Sequence, residues 1–418
     1  MKEKRFAHEN LPPEIQAKAE AMNLDSDKIP PYTIPALPVT ENMTSDEFEQ
    51  NVQPHLLDEF KRSMYGEIPG MCEKLEFVLK KEGSAFNGMA IRREFDIVCV
   101  NNNIEHVIPM LLYIPAKRQG KVPVIFGLNF PGNIATTFDP EVTFNPFERE
   151  PKTWTIRYND NRADESQRGM KAYRWEFEKV LQQGFAAATI SYNDIFYDKP
   201  WGFKTSVMRL FYTAEEWDSP QRNTGAISAW AWGIMRALDC LSTQEEIDME
   251  HVVVHGHSRL GKTALWAGAN DKRIWLTVSN CSGTCGAKFT HRYYGEDFSW
   301  LNVWVKHWFC AEFQKYADRD LEYPVDQHFL MAAIAPRLLY IASASNDVYA
   351  DPEGEYLSGK LASQAWNIYG RSGLENTGFP ECGKLIGEGS IGYYLRNGEH
   401  EFMPENWDAL LEFIKKHL

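Results

Sequence analysis

Hydrophobic and polar positions change rhythm along the chain. Between residues 75 and 115 the segments LEFVLKKEG, MAIRREFDIVCV and HVIPMLLYIPA, punctuated by Gly and Asn turns, predict antiparallel strands. The pattern changes at Val122. VPVIFGLNF is a continuous apolar run ending in Pro-Gly, followed by a long polar loop, the helical stretch YRWEFEKVLQQG and the apolar run FAAATISY, the spacing of a β-α-β unit. The alternation continues through the helix GAISAWAWGIMRALDCL, the strand HVVVHG, a helix from about 259, the strand WLTVSN, a long Trp-rich excursion, the strand RLLYIASAS and the final helix NWDALLEFIKKHL. Uniformly apolar strands alternating with helices predict an α/β fold, with a mostly parallel sheet covered on both faces in three layers.

Upstream of the strands the pattern is different. Pro12, Pro13, Pro30, Pro31, Pro35 and Pro38 predict an extended arm over residues 1 to about 40. Thr44 and Glu47 have capping-box spacing, and EFEQNVQPHLLDEFKRSMYG reads as helical on either side of Pro54, which is expected to break or kink it, with Gly66 as a stop. The length of 418 residues alone would suggest two or three domains. With no internal repeat and no linker of disordered composition, the expectation is instead an N-terminal arm and helix (1–80) packed on one domain (81–418).

Composition narrows the function classes. A net charge of −14 provides no broad positive field for a phosphate backbone, so nucleic-acid binding is not expected. Apolar and charged fractions of 44% and 24% exclude collagenous and largely disordered classes. The 13 Trp, 18 Tyr and 24 Phe serve core packing or the wall of a sugar-binding cleft. Seven cysteines without paired rhythm imply no disulfide framework, and Cys281 and Cys285 lack the spacing of a zinc or redox pair. No window approaches the roughly 18 apolar residues of a membrane span. The start MKEKRFAHENLPPEIQ has charge but no apolar stretch, so no signal peptide is visible. The chain is then cytoplasmic, or secreted or periplasmic after removal of an export signal.

The sharpest signal is HVVVHGHSRLGKTALWAGA, which fits two incompatible templates. Gly256 to Thr263 matches the phosphate-binding loop G-x-x-x-x-G-K-[ST] literally. Such a loop favours small residues between its glycines and normally comes after the first strand of its domain. Here His, Ser, Arg and Leu fill those places, and about three strand-helix units precede the loop. The second template is a nucleophile elbow that presents Ser258 between strand and helix, although its glycine is delayed from position 260 to Gly261. The downstream sequence agrees with the elbow. An acid and then a histidine should come after later strands, and Asp347 comes directly after RLLYIASAS while His400 lies just before the last helix. Asp351 is the rival acid, but before Pro352 it looks like a helix N-cap. His255 and His257 face the same way on a strand and could ligate a metal, but the further ligands of such a site do not line up, so no metal is expected.

With these residues in place, the chain resembles carbohydrate esterase family 15, the glucuronoyl esterases, from about residue 85 to the C-terminus. Gly256-His257-Ser258-Arg259-Leu260-Gly261-Lys262 matches the family signature G-[CH]-S-R-x-G-K. RGMKAYRWEFEKVLQQGFAAATISYNDIFYD, GAISAWAWGIMRALDCL, HWFCAEFQKY, VDQHFLMAAIAPRLLYIASAS and NDVYADPEGE resemble further family stretches. The resemblance implies an α/β-hydrolase fold, no cofactor, and cleavage of lignin-carbohydrate esters of 4-O-methylglucuronic acid on glucuronoxylan; acetyl xylan esterase activity is the alternative on the same residues. It further implies Ser258 as nucleophile and His400 as base, with Arg259 assisting the oxyanion. Lys262 and Glu296 would bind uronic-acid hydroxyls, and Trp308 would border the cleft. Two positions depart from the family. Many members carry their catalytic acid as Glu where this chain has Cys281, so the role is assigned to Asp347, and Tyr349 stands where many relatives have Trp and would reshape the substrate pocket.

Overall fold

The computed structural model describes residues 13–144 and 165–418. Pro12 and most of the polar stretch between the first parallel strand and YRWEFEKVLQQG lie outside the described residues.

Among the described residues ten strands form one sheet in the order β1-β2-β3-β5-β4-β6-β7-β8-β10-β9. They are β1 (Lys74–Ala85), β2 (Ala90–Asn101), β3 (Ile104–Pro115), β4 (Val122–Asn129), β5 (Ala186–Ser191), β6 (Ile247–His257), β7 (Ile274–Asn280), β8 (Leu338–Ala344), β9 (Leu385–Ile386) and β10 (Ile391–Arg396). From β5 through β10 every neighbouring pair is parallel. The β1-β2-β3 meander and β9 pair antiparallel at the two edges. This is the mostly parallel sheet of an α/β-hydrolase fold.

Side chains alternate across the sheet with the period of two that an extended chain imposes. Val124, Phe126, Val252 and Val254 enter one core with Leu339 and Ile341. Ile125, Val253, Leu276 and Tyr340 enter the other. The helices Ala226–Ser242, Arg259–Asn270 and Pro352–Asn367 cover the first face, supplying Trp230, Trp232, Trp266 and Trp366 to its core. Phe177–Gln182 and the last helix, Pro404–His417, cover the second with Phe177, Trp407 and Phe413. Among the described residues six tryptophans are fully buried, so much of the aromatic load packs the core, where removal of one large ring typically costs about 3–5 kcal/mol.

The N-terminal arm is more structured than its prolines suggest. Pro13 opens a helix over Pro13–Ala21 in place of extended chain, since the first turn of a helix tolerates a residue without an N–H. The remainder is laced to the large domain: Gly295 N donates to Asn23 O at 2.8 Å, and His328 Nε2 meets Pro35 O at 2.9 Å. Thr44 and Glu47 form the capping box. Pro54 does not break its helix. A wide π turn over Phe48–Val52 comes first and leaves Pro54 in the first turn of Gln53–Ser63, where its missing N–H costs nothing. Among the described residues no helix is long and apolar enough to cross a membrane.

Candidate active site

In a parallel sheet the carboxyl ends of the strands open onto one side, where loops from successive strands converge. Here the ends of β6, β7, β8 and β10, which are neighbours in the sheet, bring together Ser258, residues 281–284, Asp347 and His400.

Ser258 occupies a single strained residue between β6 and the helix Arg259–Asn270, with φ 60° and ψ −129°. The turn is too tight for side chains at two positions. A Cβ on Gly256 would lie 1.9 Å from Leu260 O, and one on Gly261 would lie 2.9 Å from Ser282 Cβ. This explains the delayed glycine: position 260 holds a buried Leu that enters the core, while the close approach to the next strand end falls at 261. The same closeness argues against the phosphate-loop reading. The segment folds onto itself instead of opening into an anion cradle. Lys262 is buried and its Nζ donates to Ser282 O and, at 2.6 Å, to Thr284 O.

His400 lies in the loop between β10 and the last helix. Its Nε2 is 2.9 Å from Ser258 Oγ and its Nδ1 is 2.5 Å from Asp347 Oδ2. A buried carboxylate at Nδ1 can only accept, so Nδ1 carries the proton and Nε2 is the acceptor for the Ser258 hydroxyl. The loop is tied to the end of β8: Ser345 N donates to Arg396 O and Asn346 N to Gly398 O, while Arg396 Nη1 donates to Asn397 O within the loop itself. Asp351 does a different job. Its Oδ1 accepts from Gly354 N at 3.1 Å as the cap of the helix Pro352–Asn367, with Arg292 Nε 3.4 Å from Oδ2. Burial pushes its carboxyl up to about 6, with Arg292 working in the opposite direction.

Arg259 reaches back over two aromatic faces, with its guanidinium carbon 4.8 Å from the Trp308 ring centroid and 5.7 Å from that of Phe130. Its Nη1 donates to Asp198 Oδ2. Asp198 also accepts from Trp308 Nε1 at 2.6 Å, from Tyr192 Oη at 3.1 Å and at His307 Nε2 at 2.8 Å. Burial alone would raise this carboxyl, but Arg259, His307 and Trp308 outweigh it and hold the group well below the usual carboxylate range. Trp308 is therefore a buried wall beneath Arg259. Replacing Asp198 by Asn removes a charge-assisted hydrogen bond worth about 1.5–3 kcal/mol. The expected result is a kcat/KM lower by roughly 10–100-fold together with a lower melting temperature, because Arg259 loses its buried counter-charge, checked by steady-state kinetics beside a melting curve.

The remaining candidates gather around residues 281–284. Glu296 is half-buried, and its Oε2 lies 3.1 Å from where a Cβ on Gly283 would stand. Glu296 N donates to the carbonyl of buried Tyr349 at 2.9 Å, which joins those two residues. Lys262 reaches the same turn from below, through the carbonyls already described.

His255 and His257 do not form a metal pair. His255 is enclosed by Trp175, Phe402 and Trp407, and burial lowers its pKa to about 3, which leaves a neutral core ring. His257 Nδ1 meets Asn280 Nδ2 at 2.7 Å and therefore accepts from the amide.

Two residues that matter here were not singled out in the sequence, although each closes a family-like stretch. Asp198 is the last residue of the family-like stretch RGMKAYRWEFEKVLQQGFAAATISYNDIFYD, but only the fold brings it to Arg259, 61 residues further along the chain. Glu355, fully buried, accepts at Oε1 from Ser282 N (2.7 Å) and Gly283 N (2.9 Å), with Ser343 Oγ 2.6 Å from its Oε2. Burial, reinforced by nearby Asp347, pushes its carboxyl up to about 8. Its two oxygens are taken up by the β7 turn and by Ser343.

A serine on a strand-to-helix elbow, beside a histidine and a buried carboxyl at the ends of later parallel strands, defines a hydrolase of the α/β-hydrolase class. Comparison with known proteins narrows it. The model of the fungal glucuronyl esterase family matches residues 176–370. Carbohydrate esterase MZ0003, from an unknown prokaryotic organism, is 36% identical over 412 residues, 97% of this chain and 94% of its own. A promiscuous CE15 esterase from a marine bacterial metagenome superposes with a TM-score of 0.86 at 36% identity, over 95% of this chain and 100% of its own. A glucuronoyl esterase from Solibacter usitatus does so with a TM-score of 0.85 at 34% identity, over 94% of this chain and 99% of its own. The chain belongs to carbohydrate esterase family 15 and is a carboxylic ester hydrolase.

Proposed function

We propose that the protein cleaves esters of 4-O-methylglucuronic acid on xylan, with Ser258 as nucleophile, His400 as general base and Asp347 as the acid that orients it. The reading rests above all on the unbroken run of contacts from Asp347 Oδ2 through His400 to Ser258 Oγ, at 2.5 and 2.9 Å. Ser258 Oγ attacks the ester carbonyl while His400 Nε2 takes its proton, and Asp347 stabilises the imidazolium. The Arg259 backbone N–H, at the start of a helix, and its guanidinium face the developing oxyanion; one such donor contributes about 3–4 kcal/mol in the transition state. Collapse expels the alcohol with the proton from His400. Water then cleaves the acyl-enzyme by the same route in reverse and releases the uronic acid and Ser258 Oγ–H.

The acyl group is inferred from the glucuronoyl esterases among the relatives and from Lys262 and Glu296 beside the β7 turn, where ring hydroxyls would lie. Trp308 forms the wall behind Arg259, and Tyr349 shapes the floor near Glu296. Xylan is a polymer outside the cell, so the reading carries a secreted or periplasmic location with it. The expected result is faster hydrolysis of benzyl glucuronate than of benzyl galacturonate or acetylated xylan, measured side by side, with a serine-directed phosphonate labelling Ser258 and abolishing all three. Preference for acetylated xylan with the same labelling would leave the serine mechanism and overturn the acyl assignment.

A further inference from the structure

The ends of β7, β8 and β10 deliver three metal-capable side chains to one point. Cys281 Sγ, an Asp347 carboxylate oxygen and a His400 ring nitrogen all lie within 4.8 Å of one another. Among the described residues no other group of three His, Cys, Asp or Glu side chains meets in this way. Cys281 is buried and forms no disulfide; it lies at φ 48° and its N–H donates to Ala342 O at 2.8 Å, so its backbone is anchored to the end of β8. The hydrolytic reading gives this thiol no task.

We propose that Cys281, Asp347 and His400 form an inhibitory site for a thiophilic divalent cation of the zinc type. Zinc binds thiolate, imidazole and carboxylate at about 2.0–2.3 Å in a tetrahedral arrangement. The ligand atoms of such a site stand roughly 3.3–3.7 Å apart, so occupancy opens the Asp347–His400 contact by about an ångström and draws Cys281 inward. His400 can make that adjustment because its side chain is 15% exposed at the mouth of the site. The three ligands leave the fourth position to water.

The inhibition is a matter of where the protons sit. In the resting pair Nδ1 holds the imidazole proton and Nε2 accepts from Ser258. A metal on Nδ1 moves that proton to Nε2, and the proton of the Cys281 thiol leaves to solvent. With Nε2 already protonated, the ring cannot take the serine proton. No redox step and no covalent bond is involved, so a chelator reverses the block.

The site is tested with the intact chain and with Cys281→Ser and Cys281→Ala, which keep the other six cysteines, including exposed Cys382, as internal controls. Cobalt(II) added to the intact chain should produce a thiolate-to-cobalt charge-transfer band at one ion per chain, absent in both variants. Zinc chloride should abolish ester hydrolysis and EDTA should restore it. In the variants, each scored against its own zinc-free rate, half-inhibition should need at least tenfold more zinc. A missing band, a band or inhibition that persists in both variants, or a Cys281-dependent band without loss of hydrolysis overturns the proposal. If the intact chain hydrolyses no ester, the functional reading fails instead, while the Cys281-dependent band still reports the metal site.

Discussion

Ser258→Ala lowers kcat for the preferred ester by about 10⁴–10⁶-fold, leaving only what the oxyanion donors and substrate binding supply. The magnitude comes from the geometry. Without Oγ there is no acyl-enzyme, and His400 can only activate a water that the elbow does not position. Ser258 makes no side-chain cap to the helix that it opens, and Ala removes one atom from a part-buried position, so the fold should remain intact. KM should change little, because substrate contacts lie with other residues. Single-turnover kinetics on the purified variant check the outcome: a loss smaller than about tenfold would mean that Ser258 is not the nucleophile.

The second large effect concerns the acid. Asp347→Asn lowers kcat by about 10⁴-fold, because an amide in place of the carboxylate turns an N–H toward His400 Nδ1 and stabilises the tautomer with Nε2 protonated. Asp351→Asn serves as the comparison. That side chain accepts from Gly354 N as a cap, so its replacement should reduce thermal stability by at most about 1 kcal/mol and leave kcat within a fewfold. Near-normal turnover in Asp347→Asn together with a collapse in Asp351→Asn would reverse the two assignments. Circular dichroism melts beside the kinetics separate lost chemistry from lost fold.

The order Ser258, Asp347, His400 was legible because each residue lies close to the end of an apolar strand or the start of a helix, and a parallel sheet gathers such ends on one side. Alternating strands and helices made the parallel sheet legible for the same reason, and the polar-alternating segments before Val122 read correctly as an antiparallel meander. The strand Ile391–Arg396 was not separated from its surroundings. It is short, its Gly392 makes room for the Phe413 ring, and it becomes a strand by pairing with β8. Pro54 misled in a similar way, since a local rule about proline cannot anticipate the wide turn that absorbs it. The roles of Asp198 and Glu355 were not legible for a deeper reason, although each closes a family-like stretch. An isolated acidic residue has the same appearance whether solvated or buried, and only packing brings Arg259, Trp308 and His307 around the first and the Ser282–Gly283 amides around the second.

The ion pair between Arg259 and Asp198 also bears on what happens after hydrolysis. Every turnover of an ester hydrolase creates a carboxylate beside the nucleophile. A lone guanidinium there would attract that new anion and slow its departure. Asp198 already balances the charge of Arg259, so in the role proposed for it the arginine would direct a hydrogen bond at a transient oxyanion while offering little net attraction to a lasting anion. On that mechanism the buried aspartate is expected to favour escape of the acid product.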